Sequence, residues 1–439
     1  MKAIIKYTAL MLGLVLAASC TQADYPDRFV QTSGVPKVDF VRYGDRDVII
    51  TQAAMSEIVC LVGENLTSIH DLYFNDQAAI LNTSYMTAKT LLVQVPKTLP
   101  QEQTDKIYMI TQDSTVVTYD FKVLPPVPKI TSMSLEWAQP GESVTINGSF
   151  LFAPLTVEFP GADPIEVDTA DGNSVSVVVP ADAQPGKIKV TTSSGTAQSI
   201  FMYKDSRGML FDFDGATGLD KHGWNAHSSQ DADEWSIAGR YFQFGDGAVE
   251  LNGSWEESQY SFPYWPGSWN EPENYMDSDW PTPRLCDIVD FSDWKNMALK
   301  FEMCIPASNP WSNTPMQIVF GGVDIISFGA VTTDIYGNAC AGQNNHYMDG
   351  SDDWTMGPRV FYQPWKDTGS FDTGDKWITV TIPLTDVTKG WDGNDVTEEI
   401  KASTFASVWF FICNGGVEYP DASCTPIIKI DNIRAVPYK

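Results

Sequence analysis

Aromatic side chains in polar loops are the residues of this sequence whose type and position most strongly suggest chemistry. Of the 14 tryptophans, only Trp137 precedes Asp205, and those that follow are often flanked by Asp, Asn and Gly. A ring left on the rim of a sheet is costly unless something flat and partly apolar covers it, and the face of a sugar ring is such a surface. The pattern therefore indicates stacking on a glycan.

Five aromatic residues have the best local context for this role. They lie in Pro-, Gly- or Asn-rich loops, or in the strand-like run RVFYQPW, where alternation places Phe361 and Tyr362 on opposite sides and a proline re-aims the last ring. The predicted platform residues are Trp311, Tyr336, Trp354, Tyr362 and Trp365. For each one, a place in the core is the alternative, because tryptophans also fill sandwich cores. Trp377, Trp409 and Phe411 lie in strongly apolar runs and are assigned to the core.

Catalysis is considered because the string Asn270-Glu271-Pro272 also occurs around the acid/base glutamate of barrel-fold glycosidases. Such barrels need eight alternating strands and helices, which this region lacks. Glu271 and Glu273 lie on one loop and cannot flank a scissile bond from two sides. No strand carries Glu-x-Asp-x-Glu, so we expect no enzyme, and a sandwich-fold glycoside hydrolase stays open as the alternative.

Charge and composition narrow the class of ligand. The formal net charge is −28 and the sequence pI is about 4.3, with no cluster of Lys and Arg, so the molecule repels phosphate backbones. Nucleic acid is thereby excluded as a partner, and a neutral glycan fits better than a polyanionic one. None of the four histidines stands with a cysteine at the spacing of a zinc site.

The N-terminal residues have the pattern of an export signal followed by a lipid attachment site. Residues 1–19 read as a signal peptide, with two lysines, an apolar run too short to span a bilayer, and small residues before Cys20. This junction resembles a bacterial lipobox, which implies lipidation of Cys20 (palmitate among the acyl chains) and anchoring to the outer membrane. The alternative is a plain cleaved signal. Residues 20–33 form a polar tether.

An internal repeat follows the tether. Gly63 recurs as Gly148 and Phe74 as Phe159, both at an offset of 85 residues, within short β-rich runs separated by Gly, Asn, Asp and Pro. The pattern predicts two small antiparallel sandwiches, at 34–124 and 125–204, and resembles the immunoglobulin-like IPT/TIG domain. Prolines between them make a semi-rigid spacer, so we expect a stalk, with separate ligand binding by each sandwich as the alternative.

Residues 205–439 predict a larger β-sandwich of the jelly-roll kind, with about ten strands and Trp-rich loops. FDFDG near its start and IKIDNIR near its end resemble the first and last strands of jelly-roll carbohydrate-binding modules. In those modules the two terminal strands lie side by side, which implies that Asp212 and Asp431 approach each other and hold a structural calcium ion. Solvated acids at strand ends are the alternative. No other cofactor is expected.

The complete arrangement resembles the surface glycan-binding proteins of Bacteroidetes polysaccharide-utilisation systems. The lipobox, the tandem IPT/TIG units, and VFYQPW and IDNIRAVP in the last domain carry the resemblance. It implies a non-catalytic lipoprotein of the outer membrane whose C-terminal domain captures a neutral plant-type glycan, such as xyloglucan or another β-glycan, beside a transporter complex. A surface adhesin that binds a protein partner is the competing class.

Overall fold

The computed structural model of the protein describes residues 29, 31–220, 229–253, 259–264, 283–321, 358–396, 399–420 and 422–438. The chain divides into two compact units between Pro126 and Val127. Within the described residues, helices are limited to single turns, and none has the length and apolar composition to cross a membrane. These short helices are Leu66–Ser68, Thr83–Tyr85, Leu285–Ile288, Trp294–Asn296, Leu384–Asp386 and Ala402–Thr404.

The first unit is a small β-sandwich. Its strands are β1 (Lys37–Tyr43), β2 (Ile49–Ile50), β3 (Gln52–Ala54), β4 (Ile58–Glu64), β5 (Ile69–Phe74), β6 (Gln77–Ala78), β7 (Thr90–Gln94), β8 (Lys106–Thr111), β9 (Val116–Asp120) and β10 (Lys122–Leu124). Two antiparallel sheets, β2-β1-β4-β7 and β6-β5-β8-β9, contribute the buried residues of one hydrophobic core, and β10 pairs in parallel with β3.

The second unit begins with another small sandwich. Its strands are β11 (Lys129–Met133), β12 (Ser143–Leu151), β13 (Leu155–Glu158), β14 (Ile165–Val167), β15 (Gly172–Val178), β16 (Lys189–Thr192) and β17 (Gly195–Gln198). They form the sheets β11-β12-β15 and β14-β13-β16-β17 around a core of their own. We call this part, up to residue 204, the second Ig-like domain.

The internal repeat of the sequence is also a repeat of backbone geometry. A Cβ atom on Gly63 would lie 1.9 Å from the carbonyl oxygen of Lys37, and one on Gly148 would lie 1.9 Å from that of Lys129. In both domains glycine therefore allows the second long strand to approach the first closely.

The rest of the second unit is the larger C-terminal sandwich. Its strands are β18 (Met209–Phe211), β19 (Phe242–Phe244), β20 (Ser261–Tyr264), β21 (Met297–Cys304), β22 (Met316–Gly321), β23 (Arg359–Tyr362), β24 (Trp377–Pro383), β25 (Ser407–Ile412) and β26 (Ile428–Pro437). Sheet 1 has the order β18-β26-β21-β24, with β19 also paired to β26, and sheet 2 has the order β20-β25-β22-β23. The fold is all-β, as the sequence predicts, and β18 and β26 pair antiparallel as the first and last strands.

The C-terminal core lies between sheets 1 and 2. Alternate residues of each strand point into it: Phe410 and Ile412 do so on β25, and Ile318 does so on β22. The intervening residues of these strands are buried as well, so both sheets are covered on their outer faces too. These outer faces distinguish the domain from an ordinary two-layer sandwich.

The outer face of sheet 1 packs against the second Ig-like domain through a buried ion cluster. Glu136 of that domain is 2.5 Å from Lys300 Nζ and 2.9 Å from Arg434 Nη2, and Arg434 also pairs with Glu302 at 2.7 Å. All four side chains are at least 96 % buried. Thr379 joins the two domains as well, since its hydroxyl oxygen accepts the Glu136 N–H at 2.7 Å.

Candidate functional site

The structure places Trp311 inside the core. Its side chain is fully buried, and its indole N–H donates to the carbonyl oxygens of Asn313 at 2.6 Å and Thr314 at 3.0 Å. Its ring centroid lies 6.1 Å from that of Tyr362. A ring enclosed in this way has no free face for a sugar, so the predicted exposed platform at Trp311 is corrected to a core position.

Trp365 is corrected in the same way. It is only 2 % exposed and belongs to the core cluster. The sequence pattern correctly separates Phe361 from Tyr362, but Val360 and Tyr362 are the residues that pack against the core, and the turn after Pro364 directs Trp365 towards it too. Tyr362 is partly exposed, and burial raises the pKa of its hydroxyl.

The two remaining platform residues, Tyr336 and Trp354, lie outside the described residues. Both belong to the long connection between β22 and β23, which are adjacent strands of sheet 2. That connection leaves sheet 2 after Gly321 and re-enters it before Arg359.

The outer face of sheet 2 carries two cross-strand rows of side chains. Register places the residues of each row opposite one another on β20, β25, β22 and β23 in turn. The first row is Pro263, Trp409, Val319 and Arg359, and the second is Ser261, Phe411, Gln317 and Phe361. We call these eight residues the outer face. It contains three aromatic rings beside a guanidinium, an amide and a hydroxyl, and Phe361 is the one residue of the eight that is partly exposed.

Hydrogen bonds hold the polar groups of the outer face in place. Arg359 Nη1 donates to Gln317 Oε1 at 2.9 Å, and Gln317 Nε2 donates to the carbonyl oxygens of Cys413 at 3.2 Å and Asn414 at 2.9 Å. Trp409 Nε1 donates to Ser261 Oγ at 2.8 Å. The orientation of each polar side chain is therefore fixed by its neighbours.

Arg359 is the electrostatic centre of the outer face. Its side chain is buried, and the desolvation of its charge lowers the pKa of the guanidinium to about 9. The centre of the guanidinium lies 5.5 Å from the ring of Trp391, which is partly exposed. A cationic donor in such a poorly hydrated setting forms stronger hydrogen bonds to hydroxyl groups than one in water.

A glycine-rich loop borders the outer face. A Cβ atom on Gly415 would lie 2.6 Å from Phe361 Cε1 and 2.8 Å from Gln317 Nε2. Only glycine permits the loop to lie this close to the rings. Phe361 and Trp391 keep part of their surface open, whereas Trp409 and Phe411 are 5 % and 1 % exposed.

The predicted calcium residues lie near each other, but each has its own local partners. Asp212 accepts the N–H groups of Gly215 and Ala216, whereas Asp431 accepts the N–H of Asn432 at 2.7 Å. In the part of the chain that the structure describes, no three His, Cys, Asp or Glu residues converge as metal ligands. Burial, together with the charges of Glu302 and of nearby aspartates, raises the pKa of Asp431 to about 9. The carboxyl group is therefore neutral at pH 7.

Sequence reasoning missed the polar residues of the outer face and assigned Trp409 and Phe411 to the core. Both rings are buried, but they lie on the side of β25 opposite to the core. The available signal was parity: Trp409 and Phe411 alternate with Val408 and Phe410, and Gln317 interrupts the apolar run of β22. Trp377 was also assigned to the core, but its ring packs against the second Ig-like domain.

The thiols of the C-terminal sandwich form no disulfide in the described residues. Cys413 and Cys424 are both free, and burial raises the pKa of Cys413. Glu271 and Glu273, considered above as catalytic residues, lie outside the described residues.

Comparison with known proteins gives the family. A curated IPT/TIG domain-containing protein of Bacteroides ovatus is 28 % identical over 190 residues, which cover 38 % of this chain and 37 % of that protein, so the chain spans well under half the length of this relative. The crystal structure of the surface glycan-binding protein PbSGBP-B from Prevotella bryantii matches with 39 % identity and a TM-score of 0.79, covering 93 % of this chain and all of that one. The profile of the surface glycan-binding protein B xyloglucan binding domain matches residues 203–437, more than half of the sequence. The chain belongs to the surface glycan-binding protein B family.

Proposed function

We propose that the C-terminal domain binds a neutral β-glycan of the xyloglucan type. The observation that carries this proposal is that Phe361 and Trp391 keep part of their surface open at the rim of the outer face of sheet 2, beside the buried Arg359 and Gln317. The rings suit the faces of sugars, and the guanidinium and amide suit the hydroxyl groups at their edges. The match to a xyloglucan-binding family over residues 203–437 supports the choice of glycan.

The proposed binding surface includes the connection between β22 and β23. Tyr336 and Trp354 belong to it in sequence, and the strands on either side carry Gln317 and Arg359 of the outer face. We assign these two aromatics to the platform together with the partly exposed Phe361 and Trp391. Trp311 and Trp365 support the platform from the core side, behind Tyr362.

Binding without catalysis is part of the proposal. The eight residues of the outer face include no carboxylate, so they supply no acid and nucleophile pair for glycoside hydrolysis. The buried Arg359 and Gln317 are tied to each other and to backbone carbonyls, which suits recognition of a ground-state ligand. Sustained release of reducing sugar from xyloglucan would contradict this point and favour the sandwich-fold hydrolase.

The remaining domains complete the proposed function. Acyl chains on Cys20 hold the protein in the outer membrane, the two Ig-like domains act as spacers, and the captured polymer is passed to an outer-membrane transporter. Weak individual contacts suffice, because many copies on one surface bind one long chain by avidity. Loss of surface display in a Cys20→Ala variant, with the protein released in soluble form, is the outcome that this part requires.

Affinity electrophoresis and calorimetry against a panel of polysaccharides test the proposed ligand. The full chain is compared on xyloglucan, mixed-linkage glucan, mannan, xylan and pectin, and we expect xyloglucan to retard it most. Replacing Phe361 or Trp391 by Ala should weaken xyloglucan binding by about 1–3 kcal/mol if each is a central contact. Trp294→Ala, which removes a partly exposed ring elsewhere in the domain, is the matched control.

The panel also distinguishes the proposed function from the competing hypotheses. If no polysaccharide binds while the protein is folded, the adhesin with a protein partner is favoured. If xyloglucan binds and neither Phe361→Ala nor Trp391→Ala weakens it, then the outer face is the wrong surface, although the glycan is right.

A further inference from the structure

A groove of about 1020 Å³ runs along one side of the second Ig-like domain, between β14 and β15. β15 is an edge strand of one sheet of this domain, and β14 is an edge strand of the other. On the opposite side of the domain the other two edge strands, β11 and β17, lie against each other. The domain is therefore closed along one side and open along this groove, which we call the edge groove.

Hydrogen bonds show which backbone groups of β15 point away from its sheet. The Val179 N–H donates to the carbonyl oxygen of Glu142 at 2.9 Å, and the Val179 carbonyl oxygen accepts the Gly141 N–H at 2.9 Å. Because successive residues of a strand direct their N–H and C=O groups to opposite sides, those of Val178 and Ser176 point away from β12. Among the described strands, β15 pairs only with β12, so these two residues form a free edge.

The side chains of this free edge do not protect it from pairing with another chain. Natural sheets blunt their exposed edges with charged side chains, above all lysine, with proline or with bulges. Residues 174–178 of β15 contain none of these, and Val178 is 55 % exposed. An uncovered edge of this kind is a template for the addition of a strand from another protein.

The first unit provides an internal comparison, because the run LLVQVP at the end of β7 recurs as VSVVVP at the end of β15. Gln94 occupies the place of Val178, since the residue after each makes the same pair of backbone bonds to the neighbouring chain segment. Lys89 and Lys97 flank β7, and no lysine or arginine stands at the corresponding positions around β15. The protective charges of the first edge are thus missing from the second.

The lining of the edge groove determines the charge of a suitable partner. Besides apolar side chains such as Ile165, it contains four exposed carboxylates, those of Asp163, Glu166, Asp168 and Asp182. All of the lining belongs to the described residues 140–182, and it includes no lysine, no arginine and no aromatic ring. A glycan therefore lacks a stacking surface there, whereas a polypeptide with basic side chains finds complementary charge.

A second copy of this chain fits the edge groove poorly. Two β15 edges that paired with each other would bring the carboxylates of both grooves together, and each chain has a net charge of −28. Like charges that meet without counter-charges oppose association. The charge of the groove therefore favours a different, basic polypeptide as the occupant.

We propose that the edge groove is a docking site for an extended segment of another protein, rich in lysine or arginine, which adds as a strand to β15. The backbone groups of Ser176 and Val178 hydrogen-bond this segment, and the carboxylates in and beside β14 attract its basic side chains. The second Ig-like domain is then a protein-interaction module as well as a spacer. No residue of the C-terminal sandwich takes part, so the docking site goes beyond the proposed glycan binding and does not depend on it.

Fluorescence anisotropy of a labelled peptide with the full chain measures docking. The probe is a peptide of about eight residues in which lysine and valine alternate, so that it can form one strand. A peptide of the same length in which glutamate and valine alternate is the charge control. We expect a micromolar Kd for the lysine peptide, weakening as salt is added, and no binding of the glutamate peptide.

Val178→Pro tests the contribution of the free edge. The N–H of Val178 points away from β12, so proline removes a donor for the added strand and leaves the pairing of β15 with β12 in place. We expect the Kd of the lysine peptide to rise at least about tenfold. Gln94→Pro makes the same change on the free edge of β7, so it is the matched control and should leave the Kd within about twofold.

A second variant and a second measurement keep the test valid if Val178→Pro unfolds the domain. Glu166→Gln combined with Asp168→Asn removes two exposed charges and should raise the Kd at least about fivefold. Hydrogen exchange locates the peptide: the amides of residues 174–178 should exchange more slowly in its presence. Those of residues 90–94, on the corresponding strand of the first unit, should not change.

The outcomes decide between the possible occupants. A lysine peptide that does not bind, or that binds Val178→Pro and Gln94→Pro equally tightly, overturns the docking site and leaves only a diffuse attraction to an acidic surface. A free chain that is a dimer, and that Val178→Pro converts to a monomer, overturns it in favour of a second copy. Retardation by xyloglucan in gels should be the same in all of these variants, so a failure of the proposed glycan binding is seen separately.

Discussion

The two outer faces of the C-terminal sandwich contrast in how their polar groups are satisfied. On sheet 1, Lys300 and Arg434 pair with Glu136 of the second Ig-like domain, and Arg434 also pairs with Glu302, so charges of opposite sign cover one another. On sheet 2, Arg359 meets the neutral amide of Gln317 and the ring of Trp391. The first face is a charged junction between two domains, whereas the second is a buried aromatic and polar layer at whose rim Phe361 and Trp391 are partly exposed.

This difference shows which kind of partner can cover a buried strand face that carries polar groups. Both faces alternate with core residues on the same strands, and both exclude most water. Buried charge needs compensation, and on sheet 1 a folded domain supplies it. Where aromatic rings and one cation occupy the face, hydroxyl groups and sugar surfaces are suitable partners.

The largest expected effect comes from breaking the junction at sheet 1. Arg434→Met leaves Glu302 and Glu136 buried with only Lys300 to compensate them, so we expect a loss of about 3–5 kcal/mol in the free energy of unfolding. Urea denaturation measures it. Lys189→Met, which breaks an exposed pair with Glu158, should cost less than about 1 kcal/mol. Equal, small losses in both variants would mean that the junction is open to water.

Trp311→Ala tests whether Trp311 belongs to the core or to the glycan-binding platform. Because the ring is fully buried, its removal should destabilise the domain by about 3–5 kcal/mol, with Trp311→Phe costing less. Xyloglucan retardation of the protein that remains folded should persist. An unchanged melting temperature with lost binding would restore Trp311 to the platform, as the sequence predicts.

The sequence predicts the all-β architecture and the internal repeat, because these depend on local patterns, and the resemblance to jelly-roll modules implies the pairing of β18 with β26. It does not predict which face of a strand a tryptophan occupies when both faces are apolar. On β25, Trp409 and Phe410 are neighbours and therefore point to opposite sides of the sheet. The alternation separates the two sides, but it does not say which side faces the core, because all residues of the strand are buried. The junction at Glu136 depends on residues 298 positions apart, which no local pattern connects.

A smaller, pH-dependent effect is expected on sheet 1 at Asp431. Its pKa in the folded state, about 9, lies above the ordinary value of 3.8, so the folded state holds a proton that the unfolded state releases. The resulting stabilisation is complete below about pH 4 and is lost as the pH rises towards 9. Asp431→Asn keeps an acceptor for the Asn432 N–H without the charge. It should therefore exceed wild type in stability by on the order of 3 kcal/mol at pH 6.

Urea denaturation at pH 4 and pH 6 checks this expectation. The gap between Asp431→Asn and wild type should nearly close at pH 4, where both carry a neutral side chain. Asp212→Asn, at a partly exposed turn, is the control. A gap of the same size at both pH values would show that Asp431 is ionised and compensated, which would make sheet 1 more highly charged than the comparison assumes.

The smallest expected effect is the response of glycan binding to salt. Raising NaCl from about 0.01 M to about 1 M shortens the Debye length from about 30 Å to about 3 Å, so it screens the −28 net charge almost completely. A neutral glycan carries no charge for this field to act on, and Arg359 is buried, so the Kd for xyloglucan should change less than about twofold. Calorimetry at both salt concentrations measures it, with pectin as the charged control.

A polyanion repelled by the whole molecule would bind more tightly in high salt, and one held by Arg359 would bind more weakly. A change above about tenfold in either direction would therefore show that the outer face of sheet 2 recognises charge, as the outer face of sheet 1 does.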